Sequence, residues 1–274
     1  MNSTSKNTIR QPYVAGQFYP GNRDALSREL SQLVKESQGK EKCLGVVSPH
    51  AGYMYSGKVA GELFSRIELN ETIILIGPNH TGLGKPYSLM ARGSWSTPLG
   101  TVAINEMAAS EILNSSQYLE EDFLAHEYEH SVEVQIPFIQ YFKKEFEIIP
   151  IVIAEAGLDV SRRIGEEISR VIKTLKTNIL IIASSDMTHY ESQMDAEKKD
   201  KLAIEAIIKL DEKLLYERIK KYDITMCGYA PCIIMLSAAK QLGAKTAELV
   251  KYQTSANASG DYSSVVGYAG IMVR

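Results

Sequence analysis

The chain has three cysteines in 274 residues, Cys43, Cys227 and Cys232, too few and odd in number for a disulfide framework. Reduced thiols fit a cytoplasmic protein. Basic charge is not in excess either: the formal net charge is −3, and no Lys/Arg stripe with interleaved aromatics stands out, so nucleic acid is not an expected partner. No apolar run approaches the roughly 20 residues that cross a bilayer, and the polar segment from Met1 to Arg10 lacks the apolar stretch of a signal peptide. No membrane association is expected. Also missing are a repeat of fixed period, a low-complexity tract and a Pro/Gly/Ser linker long enough to divide the chain. With 45% hydrophobic and 23% charged residues the chain can bury a full core, so one domain over 1–274 is the simplest account, with 1–10 as a flexible tail.

What is present is an alternation of β and α patterns. Leu44 to Ser48 and Thr72 to Ile76 are short apolar runs with a helical stretch, Lys58 to Arg66, between them. Glu147 to Ile153 and Asn178 to Ala183 flank a second one, Asp159 to Lys173, charged on one face and apolar on the other. Each set reads as a βαβ unit with a right-handed crossover, which calls for a parallel sheet. Asp195 to Leu210 and Glu212 to Lys221 read as exposed amphipathic helices and Cys232 to Leu242 as a buried one, with Ala247 to Gln253 and Ser264 to Val273 as closing strands. The predicted fold is α/β, a single-domain α/β/α sandwich around a mainly parallel or mixed sheet.

Histidine is scarce, and its placement carries the functional signal. Of five histidines, His50, His80 and His189 each follow a predicted strand in a turn-rich block, where an open parallel sheet has its ligand crevice. A single such histidine is most simply a loop residue. Three from separate segments point to one shared site, because neutral imidazole is both a common metal ligand and an acid or base near pH 7. Gly52, Gly57, Gly77, Pro78 and Gly82 supply tight turns around them.

The blocks Gly16-Gln-Phe-Tyr-Pro20, Pro49-His50-Ala-Gly-Tyr53, Gly77-Pro78-Asn79-His80, Trp95-Ser-Thr-Pro-Leu-Gly100, Glu129-His130-Ser-Val-Glu133, Ser184-Ser-Asp186-Met-Thr-His189-Tyr190, Met226-Cys227-Gly228 and Ser259-Gly-Asp261 occur in that order. Together they resemble the Memo family over nearly the whole chain. The resemblance implies a fold similar to class III non-haem iron extradiol dioxygenases and a mononuclear metal site on His50, His80 and Cys227. It also carries phosphopeptide binding in animal relatives and pairing with a radical-SAM partner protein. Extradiol enzymes use two histidines and a carboxylate; a thiolate in the third place is softer, so Fe(II), the favoured metal, competes with Cu and Zn. Cys232, in Pro-Cys-Ile-Ile-Met-Leu, and Cys43 read as packing residues.

Asp186 and His189 fit acid/base work beside a metal-bound substrate, or else a strand-end turn in which Ser-Ser-Asp caps a helix near Tyr190. His130, Tyr53 and Asn79 are candidates for substrate or supporting contacts. Ser131 is a candidate cap for a helix from Val132 to Phe142 that Pro137 limits or kinks. An oxygen- or redox-linked reaction on an unknown small molecule is the leading reading. A second is a non-catalytic peptide- or ligand-binding module, with Tyr53, Tyr55, Tyr87, Tyr190 and Tyr268 as an aromatic rim. A third is a zinc protease, because His126-Glu-Tyr-Glu-His130 matches H-E-x-x-H; the helical pattern that this motif requires is weak here.

Overall fold

A computed structural model describes residues 8–35 and 39–274. Its strands are β1 (Ile9–Arg10), β2 (Gly45–Ser48), β3 (Thr72–Pro78), β4 (Tyr87–Leu89), β5 (Ser94–Thr97), β6 (Gly100–Ile104), β7 (Glu120–Glu121), β8 (Glu147–Ile153), β9 (Ile179–Ser184), β10 (His189–Glu191), β11 (Ala247–Thr254) and β12 (Val265–Val273). The helices are α1 (Arg23–Leu33), α2 (Tyr53–Arg66), α3 (Glu106–Ser115), α4 (Leu124–Glu127), α5 (Ile136–Phe142), α6 (Leu158–Leu175), α7 (Gln193–Ile208), α8 (Glu212–Lys221), α9 (Tyr229–Leu242) and α10 (Ala256–Ser259). All the strands join one mixed sheet, in the order β1-β5-β6-β8-β3-β9-β2-β12-β10, with β11 beside β12, β4 beside β8 and β7 beside β4.

The centre of that order, β8-β3-β9-β2, is parallel, and its strands are the four apolar runs read from the sequence. They are buried on both faces almost from end to end, which is why they carry Ile, Leu and Val continuously and do not alternate. The connection through α2 runs from β2 over β9 to β3, and the one through α6 runs from β8 over β3 to β9. These crossovers travel in opposite directions across the sheet, so right-handedness places α2 and α6 on opposite faces. Two glycines mark the layers. A Cβ on Gly45 of β2 would lie 2.3 Å from Met235 Sδ of α9, the partner of α6, whereas one on Gly270 of β12 would meet Val59 and Leu63 of α2. Helix α9 is apolar all round because it is wedged between the sheet and the apolar stripe of α6, formed by Ile164, Ile168, Val171 and Ile172.

Several expectations need correction. Of the tail expected at 1–10, residues 1–7 lie outside the described residues, but Ile9–Arg10 pairs with β5 and Arg10 is buried. Ser131 does not cap a helix: its hydroxyl donates to the Pro78 carbonyl, and Pro137 sits in the first turn of α5, where a missing N–H costs nothing. No helix follows Asp186 near Tyr190 either; β10 lies there, and the next helix starts at Gln193 with Ser192 as its cap. Among the described residues, no helix is long and apolar enough to cross a membrane.

Candidate functional site

The carboxyl ends of β2, β3 and β9 share one edge of the sheet, because the strands are parallel and in register from Ser48 to Ser184 and from Ile76 to Ala183. His50 follows β2, His80 follows β3 and Asp186 follows β9, so three segments distant in sequence meet there. His130 arrives from a fourth, the turn after α4. A Cβ on Gly77 would lie 2.3 Å from Ser131 Oγ, so glycine at 77 is what lets this turn settle onto β3. Gly228 does the same for Cys227, since a Cβ there would lie 2.3 Å from the Ser184 carbonyl oxygen.

One ligating atom from each of His50, His80 and His130 can be chosen so that all lie within 4.8 Å of one another. The hydrogen bonds decide which nitrogen each ring offers. Ser184 Oγ donates its one proton to the Ser131 carbonyl (2.6 Å) and accepts from Gln135 Nε2 (2.8 Å). The His50 Nδ1 atom 2.9 Å away must therefore bring its own proton, which leaves Nε2 with a free lone pair. His80 Nδ1 lies 2.9 Å from Glu129 Oε1 and donates to that carboxylate, so in the neutral ring it is Nε2 that carries the lone pair. The same Glu129 oxygen lies 3.5 Å from His130 Nδ1. One buried carboxylate thus orients two imidazoles, and it also takes the backbone N–H groups of His80 and Ser131.

Burial pushes the Glu129 carboxyl up, but the hydrogen bond and charge of His80, with His130 and Ser131, outweigh it and hold the group down at about 2. Burial lowers His80, yet the Glu129 hydrogen bond and charge carry it above the usual histidine range. His50 is held well below that range by burial and by its histidine neighbours, and His130 is lowered by burial despite Glu129. Neutral imidazole is the form a metal requires, so His50 and His130 stand ready and His80 must shed a proton to bind one.

Cys227 Sγ lies 3.3 Å from His50 Nε2, the free nitrogen just identified. Burial, then the Asp186 charge, keeps the thiol well above its ordinary pKa, so it is the S–H that points at the lone pair. A cation in place of that proton would meet both atoms. Cys232 is wholly buried in α9 and Cys43 is buried beneath the sheet's far end.

The Asp186–His189 turn is clamped by β12, through Met187 N–H to the Gly267 carbonyl and Gly267 N–H to the Thr188 carbonyl, and by α7, whose buried Asp200 accepts from Thr188 N–H at 2.8 Å. Asp186 Oδ1 accepts the His50 backbone N–H at 2.7 Å, and burial raises its carboxyl despite that bond. His189 Nδ1 donates to the Thr225 carbonyl (2.9 Å), so in the neutral ring it is Nε2 that carries the lone pair. Both residues, with His50, His80 and His130, line a cavity of about 700 Å³ walled by Phe18, Tyr55, Tyr190 and Tyr268.

Not every candidate reaches this cavity. Tyr53 is a core residue, donating to the Val134 carbonyl at 2.7 Å and packed on Phe138. Asn79 folds its own loop, its Oδ1 accepting from Thr81 and Gly82 and its Nδ2 donating to the Leu83 carbonyl. Tyr87 packs on Tyr118, away from the histidines. The H-E-x-x-H spacing does not form a zinc motif, since α4 ends at Glu127 and His126 turns away to Ser88 Oγ (3.0 Å) and the edge of Trp95.

Two groups of residues escaped the sequence reading. Glu129 had a visible signal, a carboxylate adjacent to a histidine in a turn. Arg10 had none: buried against Trp95, it pairs with Glu133 and donates to the carbonyls of His126 (3.0 Å) and Glu129 (2.7 Å). Glu133 in turn accepts from the backbone of Tyr13 and Val14. The segment after β1 is thereby tied to the turn that carries Glu129 and His130.

A mixed α/β/α sheet with histidines gathered at its strand ends defines the class. A family model described as Memo-like protein matches residues 10–272, and the chain belongs to the Memo family. It is 41% identical to a MEMO1 family protein of Methanopyrus kandleri, covering 97% of this chain and 99% of that one. A MEMO1 family protein of Methanosarcina acetivorans is 43% identical at 97% and 99% coverage, and one of Aquifex aeolicus 42% identical at 96% and 98%. The crystal structure of an uncharacterised protein from Escherichia coli K12 shares the fold, with a TM-score of 0.58 at 9% identity over 83% of this chain and 98% of the other.

Proposed function

We propose that this chain is a metal-dependent oxidoreductase with a mononuclear centre on His50 and His80, completed by Cys227 and His130, acting on a small molecule held in the adjoining cavity. The observation that carries the reading is the preset tautomers: acceptors on the Nδ1 side of His50 and His80 leave both Nε2 lone pairs free in a cluster within 4.8 Å. The donor set fits a borderline metal, with imidazole nitrogens and one sulfur, and Fe(II) is favoured over Cu and Zn by the likeness to the extradiol class. The metal would supply Lewis acidity and one-electron chemistry.

The chain's own residues do the rest. Glu129 and Ser184 fix which nitrogen each ring offers, so His50, held neutral, has no proton to lose when the cation arrives, whereas His80, raised by Glu129, gives one up. The Cys227 proton leaves as well, and binding therefore tightens as pH rises. His189, its Nδ1 engaged by the Thr225 carbonyl so that Nε2 is the nitrogen left to act, accepts a proton from a substrate hydroxyl. Asp186 sets the position of the His50 backbone and adds a second carboxyl to the same wall.

Protein reconstituted anaerobically with Fe(II) and supplied with phenolic substrates should consume O₂. His189→Ala should keep its metal and lose that uptake. No uptake across a broad phenol panel, by an iron-loaded protein, would contradict the redox reading, and loss of metal from His189→Ala would make that residue a ligand.

A further inference from the structure

The cavity beside the histidines is aromatic, and apart from those histidines and the metal proposed on them it holds no cationic group among the described residues. Its walls hold Phe18, Tyr55, Tyr190 and Tyr268, and among the described residues no Lys or Arg lines it. It has two carboxylates, Glu29 and Asp186. Asp186 is already engaged by the His50 N–H at 2.7 Å. Glu29, on α1, has no hydrogen-bond or ion-pair partner among the described residues although it is half-buried, and burial raises its carboxyl. Tyr268 is 2% exposed, yet its hydroxyl also has no partner among the described residues while its ring lines the cavity. Both groups face the cavity with no partner among the described residues, so a ligand that donates to them meets no competing side chain there.

We infer that the ligand of this cavity is a cationic aromatic molecule, an arylalkylamine bearing a phenol or similar ring, whose ammonium group pairs with Glu29 and whose ring lies among the tyrosines. The argument is one of complementarity. A ring between aromatic faces gains edge or offset contacts, and an ammonium over tyrosine faces adds cation–π attraction. In the metal-free protein an anion, by contrast, finds no guanidinium or ammonium to meet it, His80 being already engaged by Glu129, and must approach an unpaired carboxylate. In that state this disfavours a phosphorylated or carboxylated ligand whatever its ring. The inference deepens the oxidoreductase reading, since it names the substrate class of that same cavity, but it rests on the cavity wall and not on the metal.

The test uses three probes of one shape and different charge: tyramine, 4-ethylphenol and 4-hydroxyphenylacetate, titrated calorimetrically into the full-length protein as purified and after metal removal. Tyramine should bind at least tenfold more tightly than either other probe in the metal-free protein, and Glu29→Gln should erase its advantage over 4-ethylphenol. The inference is overturned if 4-hydroxyphenylacetate binds as well as tyramine, if none of the three binds, or if Glu29→Gln leaves the ratio unchanged. Metal content measured on the same samples separates the two readings. A protein that selects the amine but holds no metal refutes the oxidoreductase, and one that holds metal without selecting the amine refutes the ligand class.

Discussion

His126 and His130 lie four residues apart in one motif, and both are largely or wholly buried, yet the protein uses them in opposite ways. His126 faces Trp95 and Ser88; its Nε2 is hydrogen-bonded and its Nδ1 has no partner among the described residues. His130 stacks on His80 with ring centroids 4.6 Å apart and lies beside the Glu129 carboxylate. Had α4 continued past Glu127, the two rings would share a face, because residues i and i+4 on a helix are neighbours. The chain leaves the helix there, held by Arg10 through the carbonyls of His126 and Glu129. Spacing alone therefore assigns no chemistry; what sits at the Nδ1 side of each imidazole does.

The widest break in this comparison should come from Arg10. Its guanidinium pairs with Glu133 where neither side chain is exposed, and removing one partner from such a pair typically costs about 3–5 kcal/mol. Arg10→Met is expected to lose that much in urea unfolding and, because it frees the turn holding Glu129, to weaken metal binding as well. An unchanged unfolding midpoint would mean that the strand at Ile9–Arg10 does not anchor the turn.

Acid sharpens the contrast next. Burial lowers His126 to about 3 from a usual value of 6.5. The unfolded chain therefore binds a proton at pH 4 to 6 that the folded chain refuses, and stability falls as pH falls through that window, by about 1.4 kcal/mol per pH unit for one such group. His126→Gln removes this contribution, so its stability should decline less steeply than wild type between pH 6 and pH 4, by ~2–3 kcal/mol over the interval. Parallel slopes would show that His126 takes up its proton in the folded state.

A smaller effect is expected at Glu129. Glu129→Gln keeps the shape but removes the charge that orients His80, and loss of such a supporting group usually weakens metal binding ten- to hundredfold, or about 1.4–2.8 kcal/mol. Competition with a chelating dye would measure it. The corresponding change at Glu127, half-buried on α4, should leave affinity unaltered, whereas a protease motif would need that glutamate most.

Much of this architecture can be read from the residues. The four central strands are continuous apolar runs, and their parallel order forces His50, His80 and Asp186 to one edge. The stretch between His80 and Glu147 resisted reading for a physical reason. Strands β4 to β7 are two to five residues long, and their stability comes from pairing with β8 and with each other, so periodicity has too few residues to register. The Arg10–Glu133 pair spans 123 positions in sequence, and no local pattern announces it. His130 appeared as a supporting contact because its role depends on the turn that Arg10 holds, whereas the tautomers of His50 and His80 depend on Ser184 and Glu129, contacts visible only once the strands are assembled.

The central claim is that imidazoles with preset Nε2 lone pairs hold one metal, and metal content per chain tests it most directly. Wild type and His126→Gln, purified without chelator and analysed by plasma mass spectrometry, should each carry one equivalent, and His50→Ala and His80→Ala none, with circular dichroism unchanged in all four. Equal metal content across the four proteins, or loss from His126→Gln alone, would contradict it.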